Sequence, residues 1–169
     1  MVQLIITVFA ILLTALLVLV SLNYLPTWFR AADAAESTTV ASLRILEQAY
    51  DIATRANNGV SPAVLAGEAD GGFRTNFEPV LKLLPAAVHS FDWKYGEANG
   101  LNYFCMESTG PSVNEGAAKG LLRAKTIFSS EQVFVNTDCG ALTNLDPMPP
   151  TPAKLAVTMY VAFVPGISR

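Results

Sequence analysis

The chain has one histidine, His89, which stands beside Ser90 and near Asp92. These residue types can supply a nucleophile, a base and an orienting carboxylate. Their spacing argues against that chemistry, because neighbouring residues on a strand point to opposite faces. A surface histidine at a strand start is the plainer expectation. A thiol pair of Cys105 with His89 is equally weak, since Cys139 is the better partner for Cys105. No set of His, Cys, Asp and Glu has metal-ligand spacing, and Asp138 and Asp146 stand isolated. Asp70-Gly71-Gly72 reads as a turn rather than a phosphate cradle, with no lysine and no helix-opening sequence after it. The sequence therefore predicts no catalytic residue, no metal site and no cofactor, and the chain is not expected to be an enzyme.

The elements that would hold any site are easier to read. Residues 2–25 (VQLIITVFAILLTALLVLVSLNYL) contain no charged side chain. About twenty apolar residues cross a hydrocarbon core as a helix, which satisfies its own backbone there. Tyr24, Trp28 and Arg30 follow as interfacial anchors. A signal peptide would carry a basic n-region, and none precedes this stretch, so an uncleaved anchor is expected over 1–29. Pro26 should end or kink that helix.

Residues 30–58 should continue as an amphipathic helix, strongest over 40–56. Leu43, Leu46, Tyr50 and Ala53 recur at spacings of three and four and form its candidate interface face. Ile45, Ala49, Ile52 and Ala56 are expected to widen that stripe. Asn57-Asn58-Gly59 should stop the helix.

A head follows over 59–169. A loop with a short helix after Pro62 is expected first, then a short helix capped by Asn76. The period next changes to two: Phe91, Trp93 and Tyr95 share one face of a strand, as core rather than as a binding platform. Residues 96–100 are a hairpin loop and 101–106 the partner strand. Asn114 should cap a helix reaching about Phe128, with Glu115 and Lys119 paired across one turn. Residues 132–136 read as a strand. The proline-rich stretch 146–152 reads as an extended linker, and 155–164 as a central strand. The fold class is α+β: a long N-terminal helix, its first half transmembrane, packed on an antiparallel sheet of about four strands.

The 169-residue chain has a net charge of -3, which gives no footprint for nucleic acid. Cys105 and Cys139 both lie beyond the anchor, and an even, small cysteine count in an envelope domain predicts one disulfide. That places the head outside the inner membrane, although Arg30 and Arg44 after the span lean the other way by the positive-inside rule.

This layout resembles the pilin-like proteins of type IV pilus and related secretion systems. Residues 2–56, Pro26, the strand series and the two cysteines carry the resemblance. The chain departs from that pattern in having no basic leader and in having Ile5 where most major pilins have Glu. The run LRILEQAYDIATRANNGVS (43–61), followed by an aromatic strand and a hydrophobic C-terminal strand, is similar to the small PilM-type inner-membrane proteins of thin, type IVb conjugative pili. The resemblance implies a non-enzymatic assembly or structural component, single-pass in the bacterial inner membrane, with its C-terminal domain periplasmic. Its partners would be the lipid bilayer and other membrane proteins of the machine. The alternative is a membrane-tethered periplasmic ligand-binding or sensor module with a cleft lined by the aromatic strand and His89.

Overall fold

The computed structural model describes residues 2–23 and 27–161. In chain order these form α1 (Val2–Asn23), α2 (Thr27–Ala56), α3 (Phe73–Leu81), β1 (Phe91–Ala98), β2 (Leu101–Ser108), α4 (Glu115–Ile127), β3 (Val133–Asn136) and β4 (Ala156–Val161). The architecture is α+β with a four-stranded, fully antiparallel sheet in the order β1-β2-β4-β3.

Every described side chain of α1, from Ile6 to Val18, is exposed. Among the described residues no helix is long and apolar enough to cross a membrane. Pro26 lies outside the described residues. The expected boundary between 29 and 30 falls inside α2, because Trp28 and Phe29 belong to its first turn.

In α2 the buried residues are Ala32, Ala35, Thr39, Ser42, Leu43, Leu46, Ala49, Tyr50 and Thr54. Their spacing of three and four is the period of one helical face. The stripe is narrower than the sequence suggests: Ile45 and Ile52 are 42% and 56% exposed and lie on the outer side. The helix stops at left-handed Asn58 and Gly59, where the Gly59 N–H donates to the Thr54 carbonyl at 2.8 Å.

α3 begins earlier than its sequence suggests. The Asp70 carboxylate accepts the Gly72 and Arg74 N–H groups at 3.0 and 3.3 Å and satisfies the open helix start. Asn76 lies inside the helix instead, and its side chain donates to the Ala63 carbonyl at 2.8 Å. The separate short helix expected after Pro62 does not form; residues 63–72 are loop and turn up to the start of α3.

β1 and β2 form a hairpin whose register runs from Phe91↔Ser108 to Ala98↔Leu101. The turn is only Asn99–Gly100, with φ of 54° and 75°, the left-handed pair that suits tight hairpins. Inward residues of the sheet (Trp93, Tyr95, Phe104, Met106, Val157, Met159) meet Leu43 and Leu46 of α2, Phe73 and Phe77 of α3 and Leu121 of α4 in one core. β4 is central and buried at all of its positions. The segment 146–152 has no helix or strand, and the Pro152 carbonyl accepts the Val113 N–H at 2.8 Å.

Candidate functional site

Three places on the head bring together residues that sequence spacing leaves apart. The first is the seam between α2 and α4. Asn114 caps α4 through its side-chain oxygen, which accepts the Ala117 N–H at 2.7 Å. Glu115 and Lys119 pair at 2.6 Å one turn apart. Gly116 and Gly120 then face α2 at close range. A Cβ on Gly116 would lie 2.6 Å from the Trp28 carbonyl oxygen, and one on Gly120 would lie 2.7 Å from Ala35 Cβ. These contacts make the two helices parallel neighbours. The Arg123 guanidinium closes the seam on Asp33 at 3.0 Å, and the Lys119 ammonium stands 4.0 Å over the Trp28 ring. The signal in the sequence is the pair of glycines four residues apart, opposite Ala31, Ala32 and Ala35.

The second is the outer face of the sheet. Cys105 of β2 and Cys139 are joined by a disulfide, their Cα atoms 5.7 Å apart. The bond ties the irregular segment after β3 over the sheet. Gly140 then donates its N–H to the Thr158 hydroxyl at 3.1 Å and accepts from the Tyr160 hydroxyl at 2.5 Å. The Tyr103 ring lies between Gly96 and Gly140, where a Cβ on either would crowd it. Burial pushes the Tyr103 hydroxyl above its ordinary pKa. Burial also raises Tyr95, whose hydroxyl donates to the Pro62 carbonyl at 2.8 Å. Both are structural phenols, kept protonated. Beside Tyr103, on the outer face, runs a charge chain. Glu107 is bridged by Lys94 and by Lys154, the latter at 2.5 Å, and Lys154 reaches Asp138 at 3.1 Å. Asp138 is therefore not isolated.

The third is a cleft of about 770 Å³ at the open edge of β1. Its floor is Trp93, Phe73, Leu84 and Pro85. The Phe73 and Trp93 rings stack with centroids 6.0 Å apart, and the indole N–H donates to the Pro85 carbonyl at 3.1 Å. Its charged rim is Glu68, Asp70, Asp92 and Glu107, with Arg74 and Lys94. Four carboxylates face two cations, so the rim is acidic. Its volume falls in the range of small-ligand clefts.

The structure does not assemble a catalytic group around His89. That residue and Ser90 are exposed in the connector before β1, Asp92 is exposed on β1 itself, and no hydrogen bond joins the three. It does not line the cleft. Among the described residues no cluster of His, Cys, Asp and Glu could hold a metal ion. Phe91, Trp93 and Tyr95 are core, although Trp93 also floors the cleft. Leu43, Leu46 and Tyr50 are at most 2% exposed, and Ala53 packs against the same core. The face they form is turned to the chain's own sheet, so it is not a surface open to a partner. The amphipathic pattern that singled them out is the pattern of any core-facing helix. Compared with known proteins, the chain matches no family model, no curated protein and no solved structure.

Proposed function

We propose that this protein is a non-enzymatic, membrane-anchored assembly or structural component of a type IV pilus or related secretion machine, of the pilin-like or PilM-type kind. In this reading α1 is a single-pass anchor in the bacterial inner membrane, and the head is periplasmic. The supporting observation is the pairing of two features. A 22-residue helix without a charged side chain, Val2–Asn23, precedes an amphipathic helix packed on a disulfide-tied sheet. Exposed apolar side chains all round from Ile6 to Val18 need a non-aqueous environment. The absence of charge along the helix leaves it free to pack with lipid or with other anchors, and the acidic chain offers nucleic acid nothing.

The test is a deletion strain with fractionation of the complemented strain. The reading expects the intact protein in the inner-membrane fraction, resistant to alkaline extraction, and piliation lost on deletion. Recovery of the intact chain as a free cytosolic species, or wild-type piliation in the deletion strain, would overturn it.

The cleft beside Trp93 favours a second reading, a membrane-tethered periplasmic ligand-binding or sensor module. It differs in expecting a ligand-dependent rise in Tm.

A further inference from the structure

We infer that the open edge of β1 is a docking slot for an extended peptide segment that carries a basic side chain. The inference does not rest on the anchor or on the pilus reading. It rests on the hydrogen-bond pattern of the edge strand and on the charge around it.

β1 has one neighbour, β2. In an antiparallel pair the backbone groups of alternate residues point toward the partner and away from it. The Tyr95 N–H points away, and it donates to the Asp70 carbonyl at 2.8 Å. Trp93 and Phe91, two and four residues earlier, share that direction. The Phe91 N–H is also occupied, by the Val88 carbonyl at 2.9 Å. Between these two closed ends lie three consecutive edge groups: the Phe91 carbonyl, the Trp93 N–H and the Trp93 carbonyl. No hydrogen bond among the described residues reaches them. The cleft reaches this stretch at Trp93.

Proteins normally blunt a free strand edge, because it templates pairing with another chain. Here the chain holds the edge at Phe91 and at Tyr95 and leaves the stretch between them unpaired. Gly71 shows how specific the upper closure is. With φ of +68° it brings the loop so near that a Cβ would overlap the Tyr95 carbonyl oxygen. The slot that remains suits two or three residues of an added strand, and β-augmentation supplies main-chain affinity in this way. The stacked Phe73 and Trp93 rings offer an apolar floor to one side chain of that strand. The rim supplies the selectivity. Arg74 and Asp70 lie 4.0 Å apart, and Lys94 pairs with Glu107. Glu68 accepts only from the Thr75 hydroxyl, at 3.0 and 2.9 Å, and Asp92 is exposed with no ion pair. Glu68 and Asp92 are thus left to meet a cation, whereas Lys94 is held by Glu107 and Arg74 stands only at the 4.0 Å limit from Asp70.

The test uses the full chain in detergent and a fluorescent, terminally blocked pentapeptide of alternating threonine and valine about a central lysine. Fluorescence anisotropy reads binding. The proposal expects saturable binding below about 1 mM. Replacing the peptide's lysine by glutamate should weaken it by about tenfold or more, and so should N-methylating the central residue, which removes a strand hydrogen bond. The variant carrying Glu68→Lys and Asp92→Lys should reverse the preference toward the glutamate peptide. Both positions are exposed, so the variant keeps the fold, and an unchanged melting curve verifies it. No anisotropy change up to about 1 mM overturns the proposal. So does equal binding of the two peptides. Indifference to N-methylation overturns it as well, because it would reveal a general amine site without strand pairing.

Discussion

At Glu107 two lysines oppose burial. The side chain is 13% exposed, and burial alone would raise its carboxyl pKa. Hydrogen bonds from Lys154 and Lys94 outweigh that and hold it below the ordinary carboxylate range. A depressed folded-state pKa means stability that is fully present above the unfolded value and is lost as pH falls through the folded one. The Glu107→Gln variant should therefore be less stable than the parent at pH 7, and the gap should narrow on acidification below about pH 4. Its size is set by solvent. Lys94 and Lys154 are 41% and 48% exposed, so screening limits the gap to about 1 kcal/mol or less. Urea unfolding of both proteins across that range checks it. A gap that does not change with pH would mean that side-chain shape, not charge, carries the contribution. Asp138, at the far end of the chain, is also held below its ordinary value, first by the Thr137 hydroxyl and then by Lys154.

At the scale of elements, the close approach of α2 and α4 depends on two positions without a side chain. Adding a Cβ at Gly120 would drive it into the Ala32 carbonyl, and a backbone atom in a helix cannot swing aside as a side-chain end can. Gly120→Ala gains up to about 1 kcal/mol in helix propensity. Overpacking costs about 1–3 kcal/mol, so the net change should be destabilising. Gly67→Ala is the control, since nothing lies within 4 Å of its would-be Cβ. Thermal melts of the two should separate, with only the first lowering Tm. This seam also marks what sequence periodicity does and does not reveal. The helical period over 40–56 is legible because Leu43, Leu46 and Tyr50 gain by leaving water on one face only. The strand at Phe91 is legible for the same reason at period two. Ile45 and Ile52 suit the stripe by residue type, but at 3.6 residues per turn both fall about half a turn from Leu43, on the far side of α2. The glycine–alanine seam escaped because small residues carry little hydropathy. Asn76 looked like a cap because its residue type suits one, but the cap is decided by backbone φ and ψ, and Asp70 reaches the helix start first. The cleft has no sequence signal: Glu68 and Asp92 come to one rim only through a loop whose left-handed turn needs Gly71 and Gly72.

For the molecule as a whole, the two faces of the sheet are covered by different means. Three helices seal the inner face, whereas an irregular segment lies over the outer face and is tied there by Cys105–Cys139. An irregular cover has no helical hydrogen bonds of its own, so the crosslink replaces regular structure as the source of order. The bond closes a sequence separation of 34 residues. On the chain-entropy account that constraint is worth about 4 kcal/mol, most of it taken from the unfolded chain. The double variant with Cys105→Ser and Cys139→Ser should lose about 2–4 kcal/mol in denaturant unfolding. It should also lose order unevenly. The Gly140 amide, held by the Thr158 hydroxyl, and the Leu145 amide, held by the Val135 carbonyl, belong to the tied segment. Amides of α2 that face Leu43 and Leu46 belong to the helix-covered side. Hydrogen exchange should accelerate at Gly140 and Leu145 well before it does in α2, because local opening follows the least supported unit. Equal acceleration on both sides would show that the crosslink acts only on the unfolded chain, and an unchanged midpoint would show that the outer cover holds without it. The same bond bears on the proposed compartment, since disulfides persist on the oxidising side of the membrane. In cells, both thiols should resist alkylation after denaturation without reductant, and labelling of both would remove the case for a periplasmic head.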